Sequence, residues 1–260
     1  MYDNICKFLA ETFPDDLATW LLGKPVKLTE LSPQELSLEP IRADSLILQQ
    51  SDELVLHAEF QTSPREDIPF RMADYRLRVY RRFPQKKMIQ VVIYLKKSNS
   101  PLVQQDYFQI DGLQCQFQII RLWEQPQELF LNSPGLLPFA VLSDTNNRSQ
   151  TLNQVAIELD KIKESQVRSN LTAASGILAG LVLNEQIISQ ILRRDVMRES
   201  VMYQEILREG EQRGRLEGEQ RGITKVALNL LKSGMTIEQV VKFTDLPVEL
   251  VQSLTKEITS

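Results

Sequence analysis

Asp44 and Glu59 are the residues of this chain best placed to do chemistry. They stand in two segments that read as neighbouring strands, 42–49 and 54–61, joined by the polar run Gln50-Ser51-Asp52-Glu53. Two such runs around a short polar connection predict a hairpin. With the loop centred between Ser51 and Asp52, Asp44 falls opposite Glu59 and Arg42 opposite Gln61. Directly opposed side chains share a face, with Cβ atoms roughly 4.5–5.5 Å apart. Two carboxylates at about 5 Å repel by roughly 3 kcal/mol at an effective dielectric of 20. A divalent cation offsets that repulsion, and so does a shared proton. Arg42 as an ion-pair partner is a third, purely structural answer.

The hairpin has two unlike faces. Asp44, Leu46, Leu48, Val55, His57, Glu59 and Gln61 lie on one, which turns polar at one end. Ala43, Ser45, Ile47, Leu54, Leu56, Ala58 and Phe60 lie on the other, a candidate core face. His57 shares the face of Glu59. It reads either as a proton-transfer group or as a packed, hydrogen-bonded histidine.

A helix is expected from Asp67 to Arg82, stopped by Phe83-Pro84. Arg71, Tyr75, Arg78 and Arg82 recur on one side of it at spacings of four, three and four. Phe70, Ala73, Leu77 and Tyr80 lie on the other. Residues 1–64 hold 4 Lys/Arg against 11 Asp/Glu, whereas residues 65–97 hold 10 against 3. An acidic centre beside a basic helix suits a metal-dependent phosphodiesterase, with carboxylates for the cation and arginines for the phosphates. A solvated basic helix explains the charge run equally well.

Composition excludes several other chemistries. Two cysteines without a CxxC pair and a single histidine leave no Cys/His zinc site, so any metal is a hard cation held by oxygen. No phosphate-binding glycine loop follows a strand, and no nucleophile elbow is present. The longest apolar run is too short for a membrane span, and the N-terminal residues do not resemble a signal peptide. The expectation is a cytoplasmic protein without a membrane partner.

The elements that must position these residues follow from periodicity. Helical spacing runs through residues 4–22, interrupted by Pro14 and ended at Gly23. Residues 35–39 alternate as a short strand. Met88–Leu95 is almost wholly apolar, as expected of a strand covered on both faces. Tyr107–Ile110 and Gln114–Trp123 read as strands around Asp111-Gly112. Helices are expected over 152–167 and 171–190, then a polar helix over 194–222. The polar helix contains an eight-residue repeat, Glu209–Leu216 and Glu217–Thr224, with Gly210, Gly214, Gly218 and Gly222 four apart. Its glutamate–arginine pairs at i, i+4 support a helix that its glycines weaken. A glycine stripe also permits close helix approach, hence a homodimer through this helix; a partly frayed spacer is the alternative. The tail reads as a helix over 224–232, a second one capped by Thr236, and a last one opened by Leu246-Pro247. Such units often bind DNA, but with 4 Lys/Arg between residues 224 and 260 packing or a protein interaction is the better expectation. The expected divisions are 1–145, a core; 146–192, a helical extension; 193–222, the repeat; and 223–260, a small helical module.

Asp44, then fourteen intervening residues, then Glu59-Phe60-Gln61 resembles the signature of the PD-(D/E)XK nucleases. The longer string Arg42-Ala43-Asp44, His57-Ala58-Glu59-Phe60-Gln61 and Arg71-Met72-Ala73-Asp74-Tyr75 is similar to the Rpn family of recombination-promoting nucleases, often labelled transposases. The repeat near residue 210 is similar to tails in that family. The likeness covers most of the chain and is strongest in residues 1–125. It implies an α/β fold, a restriction-endonuclease-like mixed central sheet flanked by helices, with a helical C-terminal extension. It implies a DNA endonuclease with Mg²⁺ or Mn²⁺ held by Asp44, Glu59 and the Phe60 carbonyl. Asp44, Glu59 and Gln61 are then catalytic, while Arg42, Arg71, Tyr75 and Arg78 bind substrate. Ala43 replaces the proline of the superfamily pattern, and Gln61 replaces its lysine. A glutamine amide can orient water or ligate through oxygen, but it carries no charge and is neither acid nor base. Arg42 is the candidate for restoring the charge. A nuclease fold with weak or absent catalysis that binds nucleic acid or protein stays open, as does a scaffold assembled through the tail.

Overall fold

In the computed structural model residues 2–31 and 46–259 are described. Asp44, Arg42 and the strand expected over 35–39 lie outside them. The chain forms two compact units, Met1–Tyr203 and Gln204–Ser260. The junctions expected after residues 145 and 192 fall inside the first.

The first unit opens with α1 (Tyr2–Thr12) and α2 (Pro14–Leu22). Pro14 starts α2, where its missing N–H costs no helical bond. Gly23, at φ 71°, closes it in the left-handed conformation. Asp16, in the first turn, accepts from the Gly135 amide at 2.8 Å and ties α2 to a segment far along the chain.

The central sheet comprises β1 (Thr29–Glu30), β2 (Leu46–Gln50), β3 (Leu54–Gln61), β4 (Lys87–Tyr94) and β7 (Gln118–Arg121), side by side in that order. β1, β2 and β3 are antiparallel neighbours; β3, β4 and β7 are parallel. The parallel step from β3 to β4 is made by α3 (Ile68–Arg82), within one residue of the expected helix. β5 (Tyr107–Ile110) and β6 (Leu113–Gln116) form a separate ribbon turned at Asp111-Gly112, where Gly112 takes φ 73°. The molecule is thus mixed α/β, with a central sheet flanked by helices.

Two corrections concern strands. The single strand expected over 114–123 is two, broken at Phe117. Its ring is buried among Ile68, Met72, Val92, Tyr94 and Val103, and its amide turns to the Asp106 carbonyl. The second correction is the hairpin register: Glu59 faces Leu46, not Asp44, and His57 faces Leu48. The turn is centred two half-steps later because its loop is claimed by the next strand. Lys86 Nζ donates to the Ser51 carbonyl at 2.8 Å, and the Lys87 amide donates to Glu53 at 2.8 Å. A slip of two preserves which residues share a face.

Both faces of β3 are covered. Leu48 and Val55 pack with Leu31, Tyr75 and Val79 beneath α3. On the opposite face Phe60 stacks on Phe139, with centroids 5.6 Å apart and planes 5° off parallel. Phe139 belongs to a 3₁₀ stretch, Pro134–Leu142, which is buried from Gly135 onward. Pro138 lies inside it, and a proline there forbids a continuous α-helical ladder. Trp20 and Phe130 gather on the same ring.

Asparagine side chains start two of the helices after residue 145. α4 (Glu128–Leu131) precedes α5 (Arg148–Asp160), which is capped by Asn147. α6 (Ser165–Ala179) ends at Gly180, and Asn184 caps α7 (Glu185–Ile191). The single helix expected over 171–190 is therefore interrupted. The helix expected from Arg194 is interrupted too. α8 (Arg194–Arg198) stops before Ser200, whose hydroxyl accepts from the Tyr203 amide at 3.1 Å.

α9 (Val201–Lys232) then runs through the whole repeat without the break expected after Gly222. In the second unit α10 (Ile237–Thr244) carries a capping box of Thr236 and Gln239, and α11 (Val248–Thr259) follows. Ala227, Val240, Leu246, Val251 and Leu254 form the core of this unit. A methyl group added at Gly210, Gly214, Gly218 or Gly222 meets no atom within 4 Å.

Two stability changes follow. Phe139→Ala removes the ring shared by Phe60, Trp20 and Phe130 and should cost about 3–5 kcal/mol in denaturant unfolding. Gly214→Ala should instead stabilise α9, by up to about 1 kcal/mol, seen as a higher melting temperature by circular dichroism.

Candidate functional site

Alternation along β3 points His57, Glu59 and Gln61 to the face that carries α3. His57 and Glu59 are fully buried, at 0% exposure, and Gln61 nearly so. A carboxylate removed from water is costly unless it is paired and hydrogen-bonded. Glu59 is surrounded by donors, yet loosely. Arg71 Nη2, from the first turns of α3, stands 3.2 Å from Glu59 Oε1. His57 Nε2 lies 3.6 Å from the same oxygen. Gln61 Nε2 donates to Oε2 at a long 3.4 Å. The Arg71 contact is close enough for an ion pair but is not aligned as a hydrogen bond. Glu59 Oε1 and His57 Nε2 are accordingly buried atoms with no hydrogen-bond partner.

The surroundings of Glu59 extend to two tyrosines. Tyr75 is buried, and its ring meets His57 edge-on with centroids 5.0 Å apart. Burial, then the charge of Glu59, pushes its hydroxyl above the ordinary tyrosine range, partly offset by Arg71. Tyr94, across the sheet register from Gln61, is raised by the same two causes in the same order.

A second network lies behind His57. Gln90 Nε2 contacts His57 Nδ1 at 2.9 Å and donates to the Met72 carbonyl at 2.7 Å. Arg76 Nε donates to Gln90 Oε1 at 2.7 Å, and Arg76 Nη2 donates to the Gln116 carbonyl at 3.1 Å.

No family model, curated protein or solved structure matches this chain.

The structure brings Glu59, Gln61, Arg71 and Tyr75 into one cluster. Arg78 is outside it, paired with Asp74 at 2.9 Å. Phe60 turns its side chain to the opposite face. The Gln61 carbonyl is taken by the Leu95 amide at 2.9 Å, so the neighbouring Phe60 carbonyl points to the other side of the strand. Asp44 and Arg42 lie outside the described residues. Among those described, no three His, Cys, Asp or Glu side chains converge as a metal-binding group. Glu59 nonetheless suits a hard cation: it is a carboxylate with one buried oxygen lacking a hydrogen bond.

Gln90 and Arg76 were not singled out from the sequence. The signal was present, because Gln90 is the lone amide in the apolar run Met88–Leu95, and a buried amide needs partners. The faces of α3 also differ from expectation. Phe70 (58% exposed), Leu77 and Tyr80 (64% exposed) look outward, while Tyr75 faces the sheet.

Alkaline titration tests the charge on Glu59. Glu59→Gln should lower the pH at which Tyr75 and Tyr94 ionise, without returning it to the ordinary value of about 10, since burial remains the larger cause. Their contribution to stability is full below that unfolded value. It is lost as pH rises from there through the raised folded values. Tyrosinate absorbance and melting curves recorded above neutral pH check both statements.

Proposed function

We propose that this chain is a metal-dependent DNA endonuclease of the PD-(D/E)XK class, of the recombination-promoting Rpn type. The observation that carries the reading is Glu59. It is a fully buried carboxylate at the centre of the sheet, with an oxygen lacking a hydrogen bond, set between Gln61 and Arg71. The topology supports it: an antiparallel three-strand meander ends in β3, and α3 leads back to a parallel β4. A mixed central sheet flanked by helices is compatible with the fold that the resemblance implies.

In this reading Asp44, Glu59 and the Phe60 carbonyl hold Mg²⁺ or Mn²⁺. When bound, such an ion acidifies its water and stabilises charge on phosphate oxygens. The chain's own residues do the rest. Arg71, about a fifth exposed and already beside Glu59, is placed to meet a phosphate. Gln61 directs its amide at Glu59 and orients water rather than supplying charge. The exposed Arg81 and Arg82 add attraction for a phosphate backbone. Arg42 is the proposed replacement for the lysine that Gln61 displaces.

One observation favours a second reading, a nuclease fold that binds nucleic acid or protein without efficient catalysis. Arg71 and Gln61 both turn onto Glu59, so the carboxylate already has positive and amide neighbours. No helix among the described residues is long and apolar enough to cross a membrane.

Plasmid nicking with Mg²⁺ or Mn²⁺ separates the two. The nuclease reading expects metal-dependent nicking, abolished in Asp44→Ala and Glu59→Ala and slowed in Arg42→Ala. Folded wild-type protein that binds DNA but cleaves it with neither metal would establish the binding module instead.

A further inference from the structure

His57 is the one histidine of the chain, and it is fully buried beside Glu59. Its protonation pattern follows from its neighbours by donor and acceptor accounting. Arg76 has donors only, so the Gln90 atom that meets Arg76 Nε at 2.7 Å is the amide oxygen. The amide orientation of Gln90 is thereby set. Its nitrogen carries two protons. One goes to the Met72 carbonyl at 2.7 Å, and the other points at His57 Nδ1, 2.9 Å away. Nδ1 must therefore offer a lone pair. The ring proton resides on Nε2, and Nε2 faces Glu59 Oε1 at 3.6 Å. The opposite tautomer would set two N–H groups against each other at Nδ1 and a lone pair against a carboxylate at Nε2. The edge of the ring against Tyr75 holds its plane.

We propose that His57 is a positioning residue: Gln90, itself oriented by Arg76, fixes the imidazole as the Nε2–H tautomer, and that N–H orients the Glu59 carboxylate from inside the protein. The relay runs from Arg76 through Gln90 and His57 to Glu59. It is anchored at its outer end by the Gln116 carbonyl, which accepts from Arg76. It ties a flank of α3 and the β5–β6 ribbon to one carboxylate oxygen. The functional half rests on the reading of Glu59 as a cation ligand. The tautomer rests on the hydrogen bonds alone. At 3.6 Å the Nε2–H makes no hydrogen bond to Oε1. It sets the positive end of its dipole against the carboxylate, and losing a group that orients a metal ligand typically costs about 10–100-fold in metal affinity or activity.

A single histidine makes the test direct. In a long-range ¹H–¹⁵N correlation spectrum of the full ¹⁵N-labelled chain, the protonated ring nitrogen should couple strongly to both carbon-bound ring protons, which identifies Nε2–H. A protonated nitrogen coupled strongly to Hε1 alone, or two nitrogens with averaged shifts, would overturn the tautomer. Gln90→Glu replaces the donor with an acceptor and should place a proton on Nδ1; an unchanged spectrum would remove Gln90 from the relay. Mn²⁺ binding, measured by electron paramagnetic resonance, tests the positioning. His57→Leu should weaken it about 10–100-fold, and His57→Gln, which keeps a donor near Glu59, should recover most of the loss. Equal Mn²⁺ binding by wild type and His57→Leu would refute positioning while leaving nicking by wild type and Glu59→Ala to judge the nuclease reading. A wild type that binds no Mn²⁺ would instead refute Glu59 as the ligand, and the spectrum would still decide the tautomer.

Discussion

A carboxylate in the middle of a buried strand constrains everything around it. Glu59 is shielded from water by the sheet beneath it and α3 above it, so its charge has to be met by protein groups or by a cation. The protein answers from three directions at once: Arg71 from the helix, His57 from the same strand, and Gln61 from two residues further on. None of these contacts is short and well aligned. An apolar residue would fill the same position in a sheet without any of this apparatus. The apparatus, rather than the carboxylate alone, is what makes the place a candidate site.

The scaffold makes that placement possible by covering the two faces of β3 differently. Phe60 stacks on Phe139 on one side, in an aromatic cluster with Trp20 and Phe130 that has no polar requirement. On the other side α3 supplies apolar contacts from Tyr75 and Val79 near one end and a guanidinium from Arg71 near the other. One helix thus packs and neutralises along its length. Arg76, on a different flank of α3, reaches Gln90 and the carbonyl of Gln116. The helix is bonded to the sheet and to the neighbouring ribbon by the polar groups that organise the site.

Buried polar groups also explain why β4 contains a glutamine. Gln90 uses its oxygen and both amide protons on Arg76, Met72 and His57. An amide satisfied on every side in this way has one orientation, and it fixes that of the groups it bonds. Leucine at that position would fit the apolar character of the strand but would leave His57 Nδ1 without a partner, and the direction of the imidazole would be lost.

Local pattern was enough for the elements themselves. Apolar alternation placed β3 and β5, four-and-three spacing placed α3 to within a residue, and Pro14, Gly23 and Thr236 marked ends that the backbone respects. The co-facial set of His57, Glu59 and Gln61 was legible too, because side chains alternate along a strand whatever its partner does. What covers that set was not legible. The hairpin register moved by two because Lys86 and the Lys87 amide, more than thirty residues along, hold the turn. Tyr75 turned inward and Phe70 outward because the direction of a helix face is decided by the sheet it lands on. The path from Arg76 to Glu59 joins residues on α3, β4 and β3. The sequence determined which residues are polar, which share a strand face and where the elements end, since these depend on neighbours within a few positions. Tertiary packing alone decided which distant groups meet Glu59, because the cost of a buried charge is settled by whatever surrounds it in space.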